Sequence, residues 1–357
     1  MVQKRRRIVE KKSQLSRYGK IELHKSHEWS EACQGFSITP YMQNLLLFTG
    51  QSDNYHAGEE QIERYLRVAV DDSQINRLCQ KYGDLLESES KSFDSSIEEK
   101  SILESKKIEE DESVYVMSDG CMLPLREQGG SWGEMKLGRL FREKNHFDLG
   151  KQSNIIRDST YVSHFGGHDG FIEKFERVVD NYDYLEERLV FINDGARWID
   201  NWIEETYPRA TNILDFYHGT EYLYDFAKVV WKDSSKRSEW ASSQKLLLLN
   251  DGIQKVIENI EQIEVNGKSK EIAKAKILTY YRNNQNRMYY KTYRDRGLLI
   301  GSGPIESAHR FVLQKRLKQS GQMWTKKGAQ AVANIRIAHL NGLWYKVLEL
   351  IVPQIAA

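Results

Sequence analysis

Cysteine is scarce in this chain and long apolar runs are missing. Its 357 residues hold three cysteines, Cys33, Cys79 and Cys121, far apart and in no CxxC pair. That excludes a disulfide scaffold or a zinc ribbon as the source of the fold and fits a reducing cytoplasm. No apolar stretch approaches the roughly 20 residues of a membrane span, so no membrane partner is expected. The start, MVQKRRRIVEKK, is basic but leads into no apolar signal core. A third absence is local. From Ser307 to Lys327 there is no acid at all, against Arg310, Lys315, Arg316, Lys318, Lys326 and Lys327. A single glutamate, Glu306, stands at the head of that run.

What is present is a divided charge. The net charge is +1, yet residues 1–25 carry nine Lys/Arg against Glu10 and Glu22, and residues 280–346 carry thirteen against Asp295 and Glu306. The local balances are +7 and +11, which leaves −17 for the rest. Segregation on this scale is the footprint of a polyanion-binding face opposite a solubilising one, and nucleic acid is the expected partner. With 40% hydrophobic and 29% charged residues, the chain is otherwise an ordinary globular protein of two or three domains.

Residues 1–35 are polar and basic and read as an arm or a loosely folded start. Thr39-Pro40 opens a helical stretch that Gly50 closes, and GEEQIERYLRVAV (58–70) gives a second. DDSQINRLCQKYGDLLES gives a third, with Ile75, Leu78, Tyr82, Leu85 and Leu86 near helical spacing. Three short helices with tight turns suit a helix-turn-helix unit and equally any small bundle. Residues 1–87 are therefore read as a separate, basic, helical DNA-binding region. Residues 88–112, serine-rich with an acidic excess, read as a partly helical linker.

The texture changes at residue 113. SVYVMSDGCMLPL, WGEMKLGRLFREK and STYVSHFGG read as strands, the first closed by Asp-Gly and the second alternating. HDGFIEKFERVVDNYDYL reads as a helix, RLVFINDG as a buried strand followed by a helix, and TNILDFYH as a last short strand. The order βββαβαβ indicates a mixed α/β sheet. From Gly219 to about Arg296 the pattern is almost wholly helical. The expected parts are thus 113–218 and 297–357 as two portions of one α/β domain, with 219–296 as a helical insertion.

Two acids end apolar runs in that domain. Asp119 follows VYVM and Asp194 follows LVFIN, each immediately before glycine. In open α/β sheets the strand ends form the functional crevice, so the two can converge. Asp-Gly is also a common turn pair, and Asp194 can cap the helix expected from Ala196. Glu306 has the same two readings. Near a helix start it gains from the dipole whether it caps or binds, and Arg310 at i+4 is placed to pair with it. Together the three acids offer the hard oxygen ligands that Mg²⁺ prefers, with a phosphate completing the shell. Two such ions serve an in-line displacement at a phosphodiester. Lys315, Arg316 and Lys318, two to three turns beyond Glu306, are expected to hold the backbone, with Arg310, Lys326 and Lys327. YYRNNQNRMYYKTYR (280–294) interleaves tyrosines with Arg287, Lys291 and Arg294, which suits phosphate contact and base stacking.

SDGCMLPL, EMKLG, NDGARWIDNWIEETYPRATNILDFYH and IGSGPIESAHRFVLQKRLKQSGQMW, with GAQAVANIRIAHLNGLW, resemble the DDE transposases of bacterial insertion sequences, in their Mutator-like branch. The likeness covers roughly 113–345, and 297–344 is its most specific part. It implies a ribonuclease H-like catalytic core interrupted by a helical insertion. It also implies strand cleavage at element ends and joining of the 3′-OH to target DNA, with two Mg²⁺ or Mn²⁺ ions on Asp119, Asp194 and Glu306. In that branch a (C/D)xxH element follows the strand after the second Asp, and Asp215-Phe216-Tyr217-His218 stands in its place, which makes Asp215 and His218 accessory. Double-stranded DNA ends and target are the implied partners, with a homo-oligomer on DNA and a nucleoid-associated location. Relatives can carry a Cys-paired metal ribbon near the N-terminus. With Cys33 alone in residues 1–78, this chain departs from that pattern. A non-enzymatic DNA-binding derivative and a ribonuclease H-like nuclease without joining activity are the alternative readings.

Overall fold

The β-branched and aromatic apolar runs VYVM and LVFIN form the middle of the sheet. The computed structural model describes residues 12–16, 19–23, 38–92, 112–126, 130–150, 154–182 and 185–352. Cys33 lies outside the described residues, and so does most of the arm over 1–35 and of the linker over 88–112. Within the arm, β1 (Lys12–Ser16) and β2 (Gly19–Leu23) pair as an antiparallel hairpin. Three helices come next, α1 (Pro40–Ser52), α2 (Tyr55–Leu66) and α3 (Asp72–Ser92), the last running beyond the expected boundary at residue 87.

The sheet then starts with β3 (Val114–Pro124) and β4 (Trp132–Arg142). A small hairpin absent from the sequence reading, β5 (His146–Asp148) and β6 (Asn154–Ile156), leads to β7 (Thr160–Phe165). Next come α4 (His168–Asp180), β8 (Leu189–Asn193), α5 (Arg197–Thr206) and β9 (Thr211–Leu214). The five-stranded order is β7-β4-β3-β8-β9. The strands β3, β8 and β9 run parallel, while β4 and β7 are antiparallel to their neighbours.

Helices cover both faces. Val114, Val116, Leu140 and Phe191 pack with α4 and α5, while Met117, Cys121, Leu123, Met135 and Leu137 face the other core. This explains why β4 is buried from Met135 to Arg142 where alternation was expected: a strand sandwiched between helix layers hides both of its faces.

The insertion consists of α6 (Phe216–Val230), α7 (Ser234–Leu249), α8 (Ile253–Glu261), α9 (Lys268–Asn284) and α10 (Tyr290–Asp295). It begins three residues earlier than expected, because Asp215 caps α6 by accepting the His218 backbone N–H at 2.6 Å. His218 therefore stands in a helix turn and not at a strand end. The acid-free run opens with α11 (Gly303–Ala308), widens into a π-helical segment at His309–Gln314, and ends in one turn at Lys315–Leu317. Two helices complete the chain, α12 (Lys326–Leu340) and α13 (Trp344–Ile351).

The expected separation of the N-terminal helices is corrected by the packing. Leu46, Leu47, Ile75, Leu78 and Tyr82 share one continuous core with Val332, Ala333 and Ile335 of α12. The alanines of α12 and Gly83 of α3 let the two backbones meet. A Cβ on Gly83 would lie 2.3 Å from the Ala331 carbonyl oxygen. A second tie explains a misplaced cation. Arg316, expected on DNA, is fully buried and donates from Nε to the Gly50 carbonyl at 2.7 Å. Arg336 donates to the neighbouring Gln51 carbonyl at 3.0 Å. These are among the last carbonyls of α1, which lack helical donors and attract cations. Rings of Tyr55 and Trp324, 4.7 and 5.1 Å from the Arg316 guanidinium, complete its enclosure.

Gly83→Ala tests the α3–α12 contact. The obstructing atoms are backbone and cannot swing aside, so a loss of about 1–3 kcal/mol is expected in urea unfolding.

Candidate active site

Strand register brings the two aspartates together. The last parallel pair between β3 and β8 is Met117 with Ile192. Asp119 and Asp194 each lie two residues beyond it, so the same register sets them opposite each other. Adjacent strands lie about 4.8 Å apart. The expectation that β3 ends at Asp119 is corrected here. The strand continues to Pro124 along β4, and only its parallel partner stops. Asp194 does terminate β8. Gly195 comes next at φ +86°, a left-handed turn in which a Cβ would also meet Leu214 at 2.7 Å.

Glu306 is delivered over this rim by a loop held from four sides. The Leu299 N–H donates to the Tyr115 hydroxyl at 3.1 Å, and the Phe216 N–H to the Ile300 carbonyl at 2.9 Å. The Ser302 N–H donates to the carboxylate of buried Asp215. Arg139, buried on β4, donates to the Pro304 carbonyl at 2.6 Å. These contacts bear on the capping reading of Glu306. The N-cap of α11 is Ser302, whose N–H already belongs to Asp215, so no capping contact falls to Glu306. Its exposed carboxylate instead accepts the Ser302 hydroxyl at 3.1 Å. No Glu306–Arg310 ion pair forms among the described residues.

The carboxylates sense one another. Burial pushes the Asp119 carboxyl up, the nearby His309 and the Gly120 N–H oppose this, and the charges of Asp194 and Glu306 raise it further. His309 was not anticipated; it stands one turn beyond Glu306, but is buried where the glutamate is exposed. Its ring is almost fully buried, with Nε2 3.7 Å from the Asp119 carboxylate and neither nitrogen hydrogen-bonded. Burial holds it below its ordinary range, with Asp119 opposing, so the contact falls short of a full ion pair.

Asp194 has its own support. Asn193 accepts the Gly195 N–H at 3.0 Å and an Arg287 N–H at 3.2 Å, and Arg287 pairs with Asp200 at 2.9 Å. Arg287, expected on DNA, is thus buried as the joint between the insertion and the Asp194 turn. The tyrosine-rich segment is likewise mostly interior, since Tyr281, Tyr290 and Tyr293 are core residues. Tyr289 is exposed, and Tyr280 is half-buried. Its ring stacks on Tyr222 at 3.7 Å, and its hydroxyl reaches the Asp194 carbonyl at 3.5 Å.

The remaining residues divide. Arg310, Lys315, Lys318 and Lys326 are exposed and have no carboxylate partner among the described residues. Lys327 pairs with Asp84, Lys291 pairs with Asp295, and Arg294 donates to the Tyr290 and Leu249 carbonyls. His218 turns toward Glu221 at 3.6 Å and lies edge-on to Tyr222. Among the described residues, no three His, Cys, Asp or Glu side chains stand close enough to hold an ion as they are.

A family model described as "Uncharacterised protein family (UPF0236)" matches residues 87–351. The chain belongs to the UPF0236 family. It is also 28% identical over 239 residues to the "UPF0236 protein in vanSb 3'region" of Streptococcus gallolyticus, an alignment covering 65% of this chain and 50% of the relative. The UPF0236 chain therefore spans about half the length of the curated relative it matches. The match begins at the end of α3 and takes in both strand-end aspartates, the insertion and the Glu306 helix.

The raised Asp119 carboxyl binds its proton more tightly in the folded than in the unfolded state. Stability therefore falls as pH climbs from the ordinary aspartate range, about 4, through the raised folded value, and stays lowered above it. Asp119→Asn removes that loss and is expected to melt above wild type at about pH 7.5, the gap closing toward about pH 4. Calorimetry at both values checks the sign, and added Mg²⁺ should raise the wild-type melting point more than that of the variant.

Proposed function

We propose that this chain is a DDE-type transposase acting on double-stranded DNA, cleaving at element ends and transferring the 3′-OH into target DNA. The observation that carries the reading is the rim geometry. The first and fourth strands of the five-stranded sheet lie side by side, Asp119 and Asp194 each come two residues past their last pair, and a buried-anchored loop sets Glu306 where all three charges interact. Strand order, the insertion after β9 and the Glu306 helix support a ribonuclease H-like core for the same reason.

The donor types suit a divalent cation, since all three are hard carboxylate oxygens whose charges act on one another, and the three must draw closer than they stand to share an ion. When bound there, Mg²⁺ or Mn²⁺ supplies Lewis-acid activation of the attacking oxygen and stabilisation of the leaving one. Asp119, Asp194 and Glu306 are the residues that would hold it. Asp215 and Arg139 fix the approach of Glu306, and Arg287 with Asn193 fixes the turn at Asp194. His309 stands behind Asp119. Arg310, Lys315, Lys318 and Lys326 present unpaired positive charge to the phosphodiester backbone, which adds affinity without reading sequence. Buried Arg287 and Arg316 have no part in that contact.

Asp119→Asn, Asp194→Asn and Glu306→Gln are each expected to lower Mg²⁺-dependent cleavage of element-end DNA by about 10³-fold or more while leaving DNA affinity within about twofold. Gel-resolved cleavage and strand-transfer assays provide both readouts. Wild-type cleavage by any one variant removes that residue from the site, and cleavage without joined products assigns the chain to nucleases instead.

A further inference from the structure

Three large apolar side chains stand exposed around Pro124, away from any core: Met122 (46% exposed), Trp132 (56%) and Met323 (40%). The β3–β4 register pairs Pro124 with Trp132 and Met122 with Glu134, which makes Met122 and Trp132 diagonal neighbours on one sheet face. Met323 is fixed beside them by three bonds. The Trp324 N–H donates to the Pro124 carbonyl at 3.0 Å, the Arg126 N–H to the Trp324 carbonyl at 2.9 Å, and Arg126 Nε to the Met323 carbonyl at 2.9 Å. Single exposed apolar residues are ordinary, but three tied to one point form a patch.

The patch is also cationic. The Lys318 ammonium lies 5.9 Å from the centre of the Trp132 ring, and Arg126 is exposed at the patch edge. Lys318 has no carboxylate partner among the described residues, and Glu134, on the same sheet face, is paired with Lys136. Burial pushes the thiol of Cys121 up to about 12, with Lys318 opposing and Asp119 and Glu134 adding to the rise. The same ammonium is thus within electrostatic reach of the strand that carries Asp119. Pro124 is five residues further along that strand, about 17 Å, or about five stacked nucleotides.

An apolar protein partner would find no use for cations that have no carboxylate partner among the described residues. A nucleic-acid strand uses both features, its bases the ring face and its phosphates the charges. We propose that Trp132, flanked by Lys318 and Arg126, is a stacking platform for an unpaired nucleotide of the DNA strand that runs past Asp119. The inference rests on the DNA reading above and adds to it a single-strand binding position outside the carboxylate cluster. Base stacking on an aromatic tolerates any sequence, so the platform selects strand state and not base identity.

The test uses the full chain without divalent cation and two probes: a blunt duplex, and the same duplex with a five-nucleotide single-stranded tail carrying 2-aminopurine. Wild type is expected to quench the tail fluorescence and to prefer the tailed duplex. Trp132→Ala is expected to lose the quench and bind the tailed duplex about tenfold more weakly or worse, with blunt-duplex affinity unchanged. Trp132→Phe should restore the quench, which a merely structural role would not predict. Equal loss on both duplexes, or no change on either, overturns the platform and leaves the DNA reading standing. Concentration-dependent self-association that disappears in Trp132→Ala overturns it too, in favour of contact between copies. A wild-type chain that binds neither duplex overturns both readings.

Discussion

Three carboxylates brought to one rim repel each other, and the buried polar groups around the five-stranded sheet are arranged to hold them there. Each acid has a separate strut. Asp119 is fixed by the β3–β4 ladder with His309 behind it, and Asp194 by Asn193, Arg287 and Asp200. Glu306 is fixed by Asp215, Arg139 and the Tyr115 hydroxyl acting on the loop before it. The struts come from four parts of the chain: the sheet, the helix after β8, the insertion and the acid-free run. The insertion is therefore a member of the site. Its first helix is capped by the residue that holds Ser302, and the short turn between α9 and α10 supplies the guanidinium that braces the Asp194 turn.

The same logic accounts for the cations. A helix C-terminus presents carbonyls without donors, and Arg316 and Arg336 answer those of α1. Their burial costs hydration, which the carbonyl bonds and the flanking rings offset in part. The consequence is mechanical continuity. The segment that carries Glu306 is clamped at its far end to the N-terminal helices, so the helical bundle and the rim share one core.

Much of this was legible in the sequence and some of it was not, for definite reasons. Apolar runs ending in Asp-Gly located Asp119 and Asp194, because strand ends and polar turn residues leave local marks. The continuation of β3 past Asp119 left none, since it depends on β4 staying paired where β8 stops. Periodicity revealed the apolar stripe of α3 but not its cover, which is α12 meeting Gly83 at Ala331. Counting Lys and Arg between 280 and 346 captured the charge and missed its destination. Arg287 and Arg316 point inward because Asp200, Asn193 and the end of α1 need donors, and such partners are distant in sequence. His309 left no local mark, because its burial beside Asp119 depends on the sheet packed over it.

The π-helical segment links these threads. One extra residue in the turn between His309 and Gln314 rotates the residues beyond it relative to Glu306. Along the run, Glu306 and Arg310 face solvent, His309 and Arg316 face the core, and Lys315 and Lys318 return to the surface. A single acid-free stretch thereby supplies a rim carboxylate, a buried imidazole beside the neighbouring carboxylate, an internal clamp and exposed cations. Composition alone reads that stretch as a uniform basic helix. Its function in the fold comes from the alternation of buried and exposed charge, which a regular helix carrying the same residues would place on different faces.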